Sequence, residues 1–420
     1  MDVLITHLNH KGEGVARHED GQTITVPYTL EGETVAIDIV SQNKYGYSAK
    51  KVKILEASAH RQTAPCPHFE VCGGCALQHL DDISYKDFKK NLIANALTKN
   101  GFEDVQIEEL LILPEKVRRR CKLVTTKHKN KTSLGFRQKH SHDIARIQTC
   151  AVIHPQLEVL IKPLENMCHK LLNNKQQADI YLSTTEGLVD MFIDLGKVEK
   201  FLSYEEREGF ADFAKQNNIT KLTLKTKTLE DLLYMKEEPF VRFVSVPVHV
   251  GSRHFLQASQ NADIALQDFI LGHLKGEKIK KVADLFCGHG TFSFIFPENI
   301  QVHGYEADKD ALSHMNKAAL KYKPSVQGRH LNLYDEPLKT KALNEYDALI
   351  LDPPRDGALK QCEEIAQSKM KRVVYISCNP LTFARDAKVL THSGYTLQSV
   401  RPVDQFLWST HIEVIGFFEK

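Results

Sequence analysis

The chain has 420 residues, room for two or three domains each with its own core. It is 42% hydrophobic and 26% charged, which excludes a disordered or fibrous chain. Its 55 basic and 53 acidic residues nearly balance, so any nucleic-acid surface must come from local clustering. No apolar run approaches the length of a membrane span, and Met1-Asp2-Val3-Leu4 does not open a signal peptide. The expectation is a cytoplasmic protein with no membrane partner. Nine cysteines in that compartment argue for metal or catalysis before disulfides.

Residues 1–57 predict an all-β unit. Short alternating runs such as Gln22–Val26 and Thr34–Ile39 are separated by Gly and Asn turns, and five such runs suggest a small closed barrel. Lys44-Tyr45-Gly46-Tyr47, followed by Lys50, Lys51 and Lys53, interleaves positive charge with aromatics. That pattern suits phosphate attraction and base stacking, and equally a solvated hairpin with core tyrosines.

Next comes Cys66-Pro67-His68-Phe69-Glu70-Val71-Cys72-Gly73-Gly74-Cys75. Three thiolates at this spacing are soft ligands that select an iron–sulfur cluster or zinc. A fourth ligand is needed; Cys150 is the first choice, with Cys121 or His79 as alternatives. The spacing differs from the C-x3-C-x2-C of radical enzymes that use S-adenosylmethionine.

Residues 84–112 carry a helical stripe of Phe88, Leu92, Ala96 and Leu97, closed by Asn100-Gly101 and expected to face a core. Val117-Arg118-Arg119-Arg120 and Gly135–His140 are basic stretches, read as solvated faces or as candidate phosphate contacts. Residues 155–250 alternate strands and helices without chemical landmarks.

From about residue 251 strands and helices alternate, as in a doubly wound α/β sheet. The apolar strand Lys281–Phe286 runs into Cys287-Gly288-His289-Gly290, where glycines let backbone approach a ligand. Glu306 ends the following strand and can hydrogen-bond ribose hydroxyls, so together they favour an adenosine-containing cofactor. The strand Tyr346–Leu351 ends in Asp352-Pro353-Pro354-Arg355, and the strand Val373–Ile376 delivers Cys378 just before Asn379-Pro380. Ligands sit beyond the carboxyl ends of such strands, where a thiol can be a nucleophile.

Asp284-Leu285-Phe286-Cys287-Gly288-x-Gly290, Asp352-Pro353-Pro354-Arg355 and Ser377-Cys378-Asn379-Pro380-x-Thr382 together resemble the RNA uracil-5-methyltransferase family. Gly12-Glu13-Gly14-Val15-Ala16 resembles a TRAM domain, an RNA-binding barrel. With the Cys66/Cys72/Cys75 motif, it is similar to the family's 23S ribosomal RNA branch, which carries a 4Fe-4S cluster. The resemblance implies a Rossmann-like S-adenosylmethionine-dependent methyltransferase domain, an N-terminal TRAM/OB-like β-barrel and an α+β central domain. The expected division is residues 1–57 for the barrel, 58–83 and 113–250 for the central domain, and 84–112 with 251–420 for the methyltransferase domain.

The same resemblance implies residue roles. Cys378 is the nucleophile and Glu413 the general base. Gln257, Phe286, Glu306, Asn332 and Asp352 hold S-adenosyl-L-methionine, with Thr291 a further polar contact. Cys66, Cys72, Cys75 and Cys150 hold the 4Fe-4S cluster, whose expected role is structural. The implied reaction makes 5-methyluridine in 23S ribosomal RNA through a Cys378–uracil adduct, on a single-stranded or flipped-out uridine. The T-loop uridine of tRNA is the alternative substrate. A non-catalytic, cluster-bearing RNA-binding protein is the alternative class. A cytosine-5-methyltransferase fits less well, because those enzymes commonly place the nucleophile after a proline. One chain supplies a complete site, so a monomer is expected.

Overall fold

A computed structural model describes residues 1–274 and 279–420. Among the described residues there are three larger sheets and one two-stranded hairpin. The first has six strands between Asp2 and Glu56, ordered Asp2–Leu4, Thr34–Asn43, Gly46–Glu56, Thr23–Pro27, Glu13–Arg17, His7–Leu8. Asp2–Leu4 pairs with Thr34–Ala36, while Thr6 N–H donates to Val15 O at 2.8 Å. The first segment thus touches both edges of the sheet and closes it, removing exposed edges. Alternation puts Val3, Ile5, Ile24, Val26, Val35 and Ile37 inside.

The second sheet has seven strands, from Ile144–Arg146 at one edge to Glu230–Met235 at the other. Its pairings are antiparallel except Leu188–Asp194 with Lys221–Lys225. The helices Pro155–Glu158, Ile161–Leu171 and Tyr204–Gln216 contribute Leu157, Ile161, Leu164, Phe210 and Ala214 to its core.

The third sheet positions the site. Its order is Val326–His330, Gln301–Glu306, Lys281–Leu285, Ala348–Leu351, Arg372–Ser377, Glu413–Glu419, Thr396–Asp404, Leu111–Ile112. The first five strands are parallel and Glu413–Glu419 runs antiparallel. Parallel strands covered on both faces read as continuous apolar runs, and Ala348–Leu351 and Val373–Ser377 are buried throughout. The strand order reverses between Lys281–Leu285 and Ala348–Leu351, the switch point where such sheets bind ligands. This is the Rossmann-like fold expected. The hairpin Phe240–Phe243/Val246–His249 packs Val241, Phe243, Val246 and Val248 into the same core as Leu266 and Phe269.

The helix Asp82–Lys99 starts on an Asp81 cap whose side chain accepts from Ser84 N–H, and packs on the helix Pro380–His392. Its buried line is Tyr85, Lys89, Ile93, Ala96 and Leu97, so the expected stripe is rotated: Phe88 and Leu92 are half-buried and a lysine lies inside. Lys89 Nζ reaches Asp404 Oδ1 at 2.9 Å and His411 O at 2.5 Å, and the Tyr85 hydroxyl donates to the other Asp404 oxygen. Among the described residues no helix is long and apolar enough to cross a membrane.

Candidate active site

Cys378 follows the strand Arg372–Ser377 and precedes the helix Pro380–His392, capped by Asn379. Pro380 suits the first helical turn, where no N–H is needed. The Arg355 carbonyl accepts from Asn379 Nδ2 and Thr382 Oγ1, both at 3.2 Å, which stitches the Asp352–Arg355 turn to the cysteine loop. Behind that turn, Asp386 accepts from Ala358 N–H at 2.7 Å and from Tyr375 OH at 2.6 Å. Gly357 (φ +75°) is required there, since a Cβ would lie 2.6 Å from the Asp386 carboxylate.

Glu413 is 3% exposed and begins the strand beside Cys378's own. Burial pushes its carboxyl up to about 7, opposed by the hydrogen bond from Gln405. Burial also pushes the Cys378 thiol up to about 11, assisted by the charges of Glu413 and Asp352 and opposed by Arg355. Cys378, Glu413, Asp352 and Arg355 therefore lie within electrostatic reach of one another.

A hydrogen-bonded chain links this group to Gln257. Gln257 Nε2 donates to Asp352 Oδ2 at 3.3 Å. Gln405 Nε2 donates to Gln257 Oε1 at 2.9 Å and to Glu413 Oε2 at 2.6 Å, while its Oε1 accepts from Ala258 N–H at 2.9 Å. Gln405 was not anticipated. It lies just past the strand Thr396–Asp404, and only its place among these partners reveals its role.

Arg119 and Arg120 correct one reading. They do not face outward toward phosphates: Arg119 is 5% exposed, pairs with buried Asp263 at 2.8 Å and donates to Gln257 O at 2.9 Å. Arg120 donates to Leu256 O at 3.0 Å. Both arginines fix the segment that carries Gln257. In the second basic stretch, Lys139 and His140 meet Glu13 of the barrel at 3.2 and 2.9 Å.

The remaining expected pocket residues lie at the carboxyl ends of the strands Lys281–Leu285, Gln301–Glu306, Val326–His330 and Ala348–Leu351. Phe286 adopts φ +63°, a strained conformation for a non-glycine residue, and its ring lies 5.4 Å from that of Tyr334. Glu306 accepts from Gly288 N–H at 2.9 Å and from the N–H groups of Ala307 and Asp308. Asn332 is exposed one residue past Leu331, whose N–H bonds Glu306 O at 3.0 Å, and its amide caps its own turn through Asp335 and Tyr334. The Thr291 carbonyl, rather than its hydroxyl, is engaged, by Gln267 at 2.9 Å. Asp352 is held well above the usual carboxylate range by burial and then by Glu413, Asp284, Asp263 and Glu306. A pocket whose carboxyls outnumber the nearby cations Arg119 and Arg355 suits a positively charged ligand. S-adenosylmethionine, with its sulfonium and ammonium groups, fits that donor set.

The four expected cluster cysteines converge from two segments. Gly73 N–H donates to Arg137 O at 2.9 Å, which lays the Cys66–Cys75 loop on the central sheet, and Cys72 bridges Gln138. Burial raises Cys72, Cys75 and Cys150, Cys75 to about 12, and each is raised further by thiolate neighbours within the set of four. Of the two alternatives, His79 instead packs against Phe69, ring centres 5.3 Å apart. Cys121 lies within reach of Cys150 alone among the cysteines, whereas Cys150 interacts with Cys66, Cys72 and Cys75. Four half-buried thiols, with the ionisation of Cys72, Cys75 and Cys150 disfavoured by their neighbours in the set, fit a soft cationic centre.

A cleft of about 1230 Å³ opens beside Cys378. Its walls include His10 and Lys11 from the barrel, Phe88 and Asn95 from the helix, and Arg355 and His411.

This fold and this pocket define an S-adenosylmethionine-dependent methyltransferase. Residues 333–420 match the family described as tRNA (Uracil-5-)-methyltransferase, and residues 1–48 match the TRAM domain. Over its full length the chain is 35% identical to an RNA methyltransferase of Agrobacterium fabrum, covering 99% of that protein. It is 32% identical to the 23S rRNA (uracil(1939)-C(5))-methyltransferase of Shewanella halifaxensis, covering 100% of this chain and 95% of that one. The fold matches the Pyrococcus abyssi tRNA (uracil-54, C5)-methyltransferase, solved with S-adenosyl-L-homocysteine, at a TM-score of 0.76, 20% identity and full coverage of both chains. The chain belongs to the RNA uracil-5-methyltransferase family.

Proposed function

We propose that the chain methylates carbon 5 of a uridine in 23S ribosomal RNA, with Cys378 as nucleophile and Glu413 as general base. The observation that carries this reading is the convergence of Cys378, Glu413 and Asp352, joined to Gln257 through Gln405. The ribosomal substrate is supported by the 32% identity to the Shewanella enzyme along the whole chain.

Carbon 5 of uracil is a weak nucleophile. Addition of the Cys378 thiolate to carbon 6 turns the ring into an enolate whose carbon 5 can attack an electrophile. S-adenosylmethionine, when bound by Gln257, Phe286, Glu306, Asn332 and Asp352 with Thr291 nearby, supplies that electrophile as a sulfonium methyl group. Glu413 then removes the proton from methylated carbon 5, the carbon 5–carbon 6 double bond re-forms and Cys378 leaves. A carboxyl near 7 suits a base that works at neutral pH. The start of the helix Pro380–His392 and Arg355 favour the thiolate, against the burial that disfavours it. The uridine must leave any stack to reach Cys378, and the cleft between barrel and helix gives an unpaired strand room to enter.

Cys66, Cys72, Cys75 and Cys150 are the proposed ligands of a 4Fe-4S cluster that shapes the RNA-binding central unit.

The test is methyl transfer from labelled S-adenosylmethionine to unmodified 23S ribosomal RNA and tRNA, native protein against Cys378→Ala, with nucleoside analysis. Label in 5-methyluridine of ribosomal RNA, absent with the variant, is the expected result. Label in tRNA alone would move the substrate to the T-loop. RNA binding with no label in either would favour a binding protein.

A further inference from the structure

We propose that His254, His289 and His314 form a binding site for a first-row transition cation, Zn²⁺ foremost. The three imidazoles come from different segments: the loop before Gln257, the glycine turn at the switch point and the helix Lys309–Tyr322. One ring nitrogen from each falls within 4.8 Å of the others. Their ring centres are 4.9 Å (His254–His289), 5.8 Å (His254–His314) and 6.0 Å (His289–His314) apart.

The second observation is the state of His289. It is 2% exposed, and neither of its ring nitrogens has a hydrogen-bond partner; Nδ1 of His314 is likewise buried and unpartnered. Buried polar atoms nearly always have partners, and leaving them bare is costly. Three adjacent imidazoles that do not bond one another present lone pairs to a common acceptor. Imidazole suits zinc, copper, iron and nickel, whereas magnesium and calcium prefer oxygen. Asp308 and Asp310 group with His254 in a separate trio and not with His289 or His314, so a water would complete a four-coordinate set of three imidazoles.

Zinc–nitrogen bonds of about 2.0–2.1 Å place tetrahedral ligands about 3.4 Å apart, so ring nitrogens that lie within 4.8 Å of one another need close only a short distance onto an ion. His254 Nδ1 accepts from Gly251 N–H at 3.0 Å, and coordination through that atom takes the place of this bond.

The cation would act as a clip. His254 lies three residues before Gln257, His289 follows Gly288, and His314 is on the helix Lys309–Tyr322 that follows Glu306, so one ion would tie together three segments that border the methyl-donor pocket. That consequence rests on the proposed pocket; the site itself does not.

The experiment titrates Co²⁺ into the full-length protein with its cysteine set loaded. The expected signal is visible d–d absorption without near-ultraviolet thiolate charge transfer, displaced by Zn²⁺. His254→Ala and His314→Ala should each weaken binding at least about 10-fold, the lower bound seen even for outer-shell groups, and the double variant should abolish it. Binding of thiolate type alone, or native binding by the double variant, overturns the proposal. A readout on native protein avoids dependence on variant folding. Zn²⁺ should protect His254 and His314, but not exposed His392, from diethylpyrocarbonate in peptide mass mapping. Unchanged labelling overturns it. Co²⁺ binding in a protein that transfers no methyl group would leave this site standing and sink the proposed function.

Discussion

Gln405 holds Glu413 through one N–H at 2.6 Å and Gln257 through the same nitrogen at 2.9 Å. One buried amide thereby fixes the proposed base and a proposed methyl-donor contact relative to each other. Its bond to Glu413 favours the ionised carboxyl, the form a base needs.

Gln405→Leu should therefore do more than slow the enzyme. A hydrogen bond to a charged group is worth about 1.5–3 kcal/mol, so kcat should fall roughly 10- to 100-fold at pH 7. The pKa of Glu413 should rise, shifting the rising limb of the pH–rate profile upward and restoring part of the rate at alkaline pH. A uniform loss at every pH would show that Gln405 only supports the fold.

Glu413 itself should cost stability. Its carboxyl rises from 4.5 to about 7 on folding, so the folded state binds the proton more tightly than the unfolded state. Stability then falls as pH rises from 4.5 through 7, by about 3 kcal/mol at about 1.4 kcal/mol per pH unit. Glu413→Gln should raise the Tm at pH 8 and change it little near pH 4.5, while abolishing turnover. Comparison of thermal unfolding at both pH values checks this.

Lys89 and Asp404 are both buried and joined at 2.9 Å. Lys89→Met leaves Asp404 buried without its partner, which should cost about 3–5 kcal/mol in urea unfolding. Adding Asp404→Asn should recover part of that loss; an additive double variant would show that the pair is not coupled.

Cys72→Ser should lower iron and sulfide content and weaken RNA binding. Full turnover on RNA without any cluster would remove the structural role proposed for it.

The sequence shows best where one short stretch carries a whole function. Cys378 can be placed because an apolar strand ends at it and Asn379-Pro380 begins a helix, and the barrel because its strands alternate with turn residues. What assembles across segments is hidden. Lys89 occupies a core position because Asp404, over 300 residues away, neutralises it, and helical periodicity carries no trace of that partner. Arg119 and Arg120 look like phosphate contacts as a basic run, yet strand geometry and the Gln257 segment draw both inward. Gln405, His254 and His314 belong to no motif at all, and His289 is only the variable position of the glycine turn.

The most direct test of the central claim uses Glu413→Gln, which should add Cys378 to uracil and accept the methyl group but fail to release the product. Incubated with 23S ribosomal RNA and S-adenosylmethionine, it should form a protein–RNA link that survives denaturing electrophoresis. Digestion should map methylated uridine to the Cys378 peptide, and the link should vanish in Cys378→Ala/Glu413→Gln. A link at another residue, or full turnover with Cys378 removed, would contradict the account.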